Sequence, residues 1–178
     1  MKRMWALTIA LLALSAGVAT AGSVGVGVFA GQSIPVLQDD AGDGTMFGVR
    51  VPIHLVPLLA IEPFYASTSL GDKTTTLAGV SYTRSGFDEK EYGANVLLSM
   101  GGPVQFFPFA GIGQTELKRP GNDLKLRTYD FGLGFGVSPM PKLSIQLRGE
   151  LQAVVDGDTS RKFGNATLGA SYALFSMP

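Results

Sequence analysis

The chain has no cysteine, so it offers neither a disulfide framework nor a thiolate that could ligate a metal or act as a nucleophile. Its one histidine, His54, confines imidazole chemistry to a single position. Neither sign of charge dominates: there are 14 basic and 14 acidic residues, and loss of Lys2 and Arg3 with a leader would leave 12 against 14, a net of −2. That balance argues against an electrostatic nucleic-acid binder, and no nucleic-acid partner is expected. After Ala21 there is no long uninterrupted apolar run. The best candidate, Val49 to Ile61, is broken by Arg50, Pro52, His54 and Pro57, which makes it a poor helical span. If the rest of the chain enters a membrane, it must do so as a closed barrel, because lipid cannot satisfy the polar groups of an open strand edge.

What is present begins with a leader. Lys2 and Arg3 precede an apolar run from Met4 to Leu14, followed by the small residues Ala19-Thr20-Ala21. This order of charge, apolar core and cleavage site predicts a secretory signal peptide over 1–21, cut after Ala21. The core of about a dozen residues is short of the roughly 20 that a spanning helix needs. Residues 22–178 then form one domain. Glycine is abundant, 24 residues, and mean hydropathy is high for a soluble protein. Composition alone would fit a β-sandwich equally well.

Periodicity decides the class. From Lys142 to Val154 polar and apolar residues alternate at nearly every step: Leu143, Ile145, Leu147 and Leu151 fall on one face of a strand, and Ser144, Gln146, Arg148, Glu150 and Gln152 on the other. Alternation and turn residues place strands near 23–31, 45–55, 58–68, 90–100, 104–117, 126–138, 142–154 and 162–175. Connections after strands two, four and six are tight: Val56-Pro57, Gly101-Gly102-Pro103 and Pro139-Met140-Pro141. Those after strands one, three, five and seven are longer and polar, spanning Gln32 to Gly44, Ser69 to Lys90, Arg119 to Lys125 and Asp156 to Arg161. Short inner turns and long outer loops are the mark of outer-membrane barrels. The expected fold is all-β, an eight-stranded antiparallel up-and-down transmembrane β-barrel of the bacterial outer membrane. Thr74 to Arg84 has strand-like composition and is expected to extend the third hairpin above the membrane, since a ninth strand would break the even parity.

The faces set the orientation. In strand six Tyr129, Phe131, Leu133, Phe135 and Val137 oppose Thr128, Asp130, Gly132, Gly134 and Gly136; in strand one Val24, Val26 and Val28 oppose Gly25, Gly27 and Gly31. Glycine suits a narrow lumen where bulk is limited, so the glycine face points inward. Tyr65, Tyr92, Tyr129 and Tyr172 then fall at the two membrane interfaces as an aromatic girdle, leaving only Tyr82 in the long loop. Arg50, Glu62, Glu91, Asp130, Arg148 and Glu150 face inward, where charges need partners. The expected lumen network is centred on Arg148, Glu150 and Arg50, with Glu62 and Asp130 as counter-ions, and it would plug the lumen.

Three stretches carry a family resemblance: Gly25-Val26-Gly27-Val28-Phe29-Ala30-Gly31, Phe107-Pro108-Phe109-Ala110-Gly111-Ile112-Gly113, and the final strand Leu168 to Phe175. The chain resembles the small outer-membrane β-barrel family that includes the OmpA transmembrane domain and OmpX-like proteins. That resemblance implies outer-membrane lipids as surroundings and recognition of the last strand by the barrel-assembly machinery. Many members end on an outward aromatic residue. Here Ser176-Met177-Pro178 follow Phe175, and strict alternation from Tyr172 makes Leu174 outward and turns Phe175 inward unless a bulge intervenes. The expected role is structural or surface-interactive, as a monomer, with an extracellular partner meeting the outer loops. The alternatives are a barrel for a small apolar ligand, a narrow pore, or a lipid-modifying enzyme. For the last, His54 would need a serine and a carboxylate, Ser99 and Glu62 being the nearest candidates, and the adjacent His and Ser of the lipid A deacylases are absent. Asp39 to Gly44 lacks the spacing of a calcium loop. No catalytic residue, cofactor or metal ligand is expected.

Overall fold

The computed structural model describes residues 22–36, 41–119, 122–157 and 159–176; the expected signal segment 1–21, and Asp39 and Asp40 of the first outer loop, lie outside the described residues. In chain order the strands are β1 (Ser23–Val36), β2 (Gly44–Arg50), β3 (Ile53–Val56), β4 (Leu59–Leu70), β5 (Lys73–Leu77), β6 (Val80–Arg84), β7 (Asp88–Leu98), β8 (Met100–Gly101), β9 (Val104–Arg119), β10 (Asn122–Met140), β11 (Leu143–Asp156) and β12 (Thr159–Ser176). Each long strand pairs antiparallel with its neighbour in sequence, β9 pairs with both β7 and β10, and β1 pairs with β12 to close an eight-stranded ring.

The second staple of the ring is interrupted. Pro52 cannot donate to a ladder, so β2 and β3 are separate pieces of one barrel strand. The break stays bonded through Gly25 N–H to Pro52 O (2.9 Å) and Val51 N–H to Pro63 O (2.9 Å). Strands also run further outward than alternation predicted. Arg119 and residues 122–125, expected as part of a loop, pair in the ladder up to Arg119 opposite Asn122. The reason is that the outward hydrophobic pattern stops at the membrane while cross-strand pairing continues, with polar partners outside, here Lys125 on Glu116, and Leu124 on Leu117 inside. Strand four ends at Leu98 rather than at residue 100, and Met100–Gly101 turns back onto β9.

β5 and β6 form their own two-stranded sheet, outside the ring, as the parity argument required. Their turn residues Ala78 and Gly79 both have positive φ (49° and 80°), the condition that a two-residue type I′ hairpin imposes.

The molecule is inside out relative to a soluble domain. Phe131, Leu133, Phe135, Val137, Leu147 and Leu168 are exposed, whereas Arg50, Glu62, Asp130, Arg148 and Gln152 are buried. On β10 the outward apolar run from Tyr129 to Val137 covers about 27 Å of strand, or about 21 Å along the normal at a tilt of ~40°, close to the ~25 Å lipid-facing band of such barrels. Inside, Ala60, Leu97, Phe107 and Phe109 form one apolar cluster, and Ala41, Leu70, Phe87, Leu117, Val154 and Phe163 form another.

Glycines opposite the lumen aromatics explain the inward glycine face. Gly134 pairs with Phe107 and Gly132 with Phe109, and each ring lies over its glycine so closely that a Cβ would collide with it. Gly134→Val is expected to cost roughly 1–3 kcal/mol through overpacking. Denaturant titration followed by circular dichroism checks this, and Phe107→Leu in the same chain should recover part of the loss.

At the seam the last strand departs from alternation. Val24 pairs with Phe175 and Gly25 with Ala173, so Leu174 is an inserted bulge residue. Leu174 and Phe175 are consequently both exposed, 48 % and 68 %. The expectation that Phe175 turns inward is thus overturned, because the extra residue resets the period of two.

Candidate functional site

Among the described residues, ionisable side chains of both signs are packed together out of solvent in the lumen, which has two tiers. In the lower tier, Arg148 on β11 reaches across to Glu62 on β4, Nη1 to Oε1 at 2.5 Å and Nη2 to Oε2 at 2.8 Å. Both residues are buried, and the two-pronged geometry is the strong form of a guanidinium–carboxylate contact. Arg148 also donates to Gln146 Oε1 (2.6 Å) and stands over the rings of Phe107 and Phe109, 5.0 and 5.3 Å from their centroids. Arg50 donates to the same Gln146 oxygen (3.3 Å) and stacks on Phe29 at 4.8 Å. Its Nε and Nη2 have no protein acceptor. Gly169, paired with Phe29, leaves the space that the Arg50 guanidinium occupies.

The upper tier is acidic. Gln152 Nε2 donates to Glu89 Oε1 (2.8 Å) and Glu91 Oε2 (2.9 Å), and Asn165 Nδ2 donates to Glu150 Oε1 (2.9 Å) and Gln152 Oε1 (3.4 Å). Thr115 and Thr128 share a hydroxyl hydrogen bond of 2.5 Å. Asp130 is fully buried and neither of its oxygens meets a donor.

The five residues expected to form one charge network are therefore divided. Arg148 and Glu62 meet directly; Arg50 reaches an amide; Glu150 takes the amide of Asn165; Asp130 lies with Glu91 and Glu89 in the upper tier. The amide residues Gln146, Gln152 and Asn165 join these groups. Gln146 and Gln152 stood on the inward face with Arg148, but a period of two does not distinguish a neutral spacer from a junction.

At the inner rim a vestibule of about 330 Å³ is lined by Ser23, His54, Gln105, Lys142, Ser144 and Gln146. His54 Nδ1 lies 3.1 Å from Ser23 Oγ, so the serine that accompanies the histidine is Ser23 and not Ser99. Glu62 is held by Arg148 and makes no hydrogen bond to the imidazole.

On the outside, Tyr65 and Tyr92 are cross-strand partners, and Tyr92 donates to Gln114. Tyr129 pairs with Ile112 just below this row, and Tyr172 lies at the opposite end, beside Leu143. All four are partly exposed on the outer wall. Above the row, the Lys125 ammonium on Glu116 holds that carboxyl below its usual range. Higher still stands the β5–β6 hairpin. Thr74–Thr83 (2.9 Å) and Thr76–Ser81 (3.0 Å) bond across one of its faces, and Val80 and Tyr82 are 52 % and 60 % exposed on the other.

Residues 6–173 match the family model described as the outer membrane protein beta-barrel domain. The chain belongs to the outer-membrane β-barrel family. This barrel accordingly resides in the bacterial outer membrane, crossing it with the eight ring strands. Solved structures share its fold at low identity. Neisserial surface protein A is 13 % identical, with 86 % of this chain and 99 % of that chain covered at a TM-score of 0.59. The N-terminal barrel of Pseudomonas aeruginosa OprF is 9 % identical, covering 85 % and 99 % at 0.53. Ail, the attachment invasion locus protein of Yersinia pestis, in complex with the heparin analogue sucrose octasulfate, is 14 % identical, covering 86 % and 98 % at 0.52. No curated protein sequence matches the barrel.

Proposed function

We propose that the protein is a non-conducting, non-catalytic outer-membrane barrel, monomeric in the lipid, that presents the β5–β6 hairpin to a partner outside the cell. The observation that carries this reading is the hairpin itself. An isolated two-stranded sheet is marginal in water, yet this one is cross-linked by its hydroxyl pairs and leaves Val80 and Tyr82 uncovered. Lys73 and Arg84 are cross-strand partners at its base, on the same face as Tyr82 by alternation. A face with an aromatic group and paired cations suits a sulfated or acidic surface polymer, and the Ail complex with a heparin analogue shows that one barrel of this fold takes such a ligand.

For the closed lumen, the support is the Arg148–Glu62 pair with Phe107 and Phe109 beneath it and the apolar cluster around Phe87, Leu117 and Phe163. Against catalysis stands the Ser23–His54 pair, which lacks a carboxylate to orient the imidazole. The outward Phe175 offers the barrel-assembly machinery an aromatic on the last strand.

Replacing residues 73–84 by a short Gly-Ser turn tests the reading. The variant should keep the unheated gel migration of a folded barrel while cells displaying it lose adhesion to a sulfated-glycan surface. Undiminished adhesion would remove the hairpin's role, and reproducible single-channel steps from the unaltered protein in a planar bilayer would remove the closed lumen.

A further inference from the structure

The vestibule at the inner rim, about 330 Å³, is large enough for a small ligand, and its charge is one-sided. Lys142, in the turn between β10 and β11, and His54 on β3 are the basic groups of its lining, and no carboxylate lines it among the described residues. The Lys142 carbonyl accepts from Ala173 N–H on β12 (2.8 Å), which fixes the turn at the rim. The floor offers donors. Because Gln146 Oε1 accepts from Arg50 (3.3 Å) and Arg148 (2.6 Å), its amide nitrogen is turned away from both, toward Ser144 Oγ (3.4 Å) in the vestibule wall. Ser171 on β12 lines the same space, is 7 % exposed, and its hydroxyl has no partner. A buried hydroxyl left unmatched costs free energy that a bound acceptor recovers. Glu62 lines a different cavity, deeper in the lumen, and is held by Arg148. Pro52, Pro57 and Pro141 complete the wall with apolar surface that carries no N–H.

We propose that the vestibule binds the carboxylate end of a short peptide presented from the periplasmic side. One ammonium, with amide and hydroxyl donors around it, matches a monoanion. A phosphate monoester, close to doubly charged at neutral pH, would want a second full cation in the lining. Hydroxyls and amides donate and accept alike, so the remaining polar groups suit the peptide units behind the carboxylate, and the prolines suit small apolar side chains. An acidic sugar would find no ring to lie on, because Tyr172, the one Phe, Tyr or Trp of the lining, stands on the outer wall. The site is at the opposite end of the barrel from the β5–β6 hairpin and does not depend on the hairpin's role.

The isotope-labelled protein, folded in detergent micelles, is titrated with tri-alanine bearing a free carboxylate, and separately with its C-terminal amide, with acetate and with glucuronate, while NMR follows the amide signals of Gln146 and Ser171. Tri-alanine should give saturable shifts at both positions. Its amide form should bind roughly tenfold or more weakly, the effect of losing a charge-assisted hydrogen bond. Lys142→Gln should weaken tri-alanine binding by a similar factor, Ser171→Ala by about fivefold, the effect of one neutral hydrogen bond. Ser160→Ala, at the far end of β12, should bind as the parent does. Each variant is checked for fast migration when unheated. Absence of saturable shifts in the parent, equal affinity for acid and amide, or equal binding by all variants overturns the proposal. Acetate or glucuronate binding as tightly as tri-alanine overturns it too, because the vestibule would then recognise an acid and not a peptide. If Ser171→Ala does not fold, Lys142→Gln, at an exposed turn residue, and the comparison of acid with amide decide.

Discussion

Glu62→Ala should destabilise the folded barrel by roughly 3–5 kcal/mol, the cost of leaving a buried charge without its partner. Arg148 is fixed between Glu62, Gln146 and two aromatic rings, and it cannot swing to solvent without dismantling that packing. Arg50, of the same sign, shares Gln146 with it, and Glu150 lines the same cavity while its Oε1 is held by Asn165. Removing the carboxylate that Arg148 bonds therefore leaves two guanidinium groups in a narrow, poorly solvated space with Glu150 as a more distant counter-charge. Glu62→Leu combined with Arg148→Met should cost clearly less than Glu62→Ala, because the penalty belongs to the orphaned charge and not to the lost contact. Denaturant midpoints in detergent, with all three proteins checked for folded migration, measure both. A double variant as unstable as the single one would mean that the pair itself, and not charge compensation, holds the lower tier.

Leu147→Arg is expected to cost roughly 2–4 kcal/mol when the barrel is folded into lipid vesicles, the range for a cation near the bilayer midplane on the lipid face. Leu147 is 57 % exposed and sits between Leu168 and Phe135, both directed outward. Its sequence neighbour Gln146 points the other way, and simple alternation suggests it as a mild lumen control. The geometry removes that role: Gln146 accepts from both Arg50 and Arg148, so Gln146→Ser would strip Arg50 of its one hydrogen-bonded partner. Thr167→Ser, lumen-facing and opposite Arg148, is the fairer comparison and should cost far less than Leu147→Arg.

Much of the architecture was legible because two independent regularities agree. Alternation along segments such as Leu143–Val154 fixes which side chains share a face, and glycine along β1 and β10 says which face is cramped. What the pattern could not carry lies where alternation stops being informative. Above the membrane the outward residues of β9 and β10, such as Glu116, Lys118, Asp123 and Lys125, are polar, so the strands continue past 117 and before 126 without an outward hydrophobic signal. A single inserted residue, Leu174, shifts the last turn of β12 by one step and exposes Phe175. In the lumen, the inward direction of Arg50, Glu62, Asp130, Arg148 and Glu150 follows from parity, but the partner of each depends on stagger between distant strands. Glu62 and Arg148 are 86 residues apart, and only the ring register brings them within bonding distance.

The seam between β1 and β12 has a consequence for how the molecule comes into being. The first residues of the barrel, Ser23 and Val24, find their partners in Ser176 and Phe175, almost the whole chain away. Until those final residues arrive, the sheet is an open ribbon with two raw margins, which hydrocarbon does not tolerate. Zipping is thus postponed to the last moment of synthesis and export, and a chain shortened by even one hairpin has no smaller cylinder to fall back on.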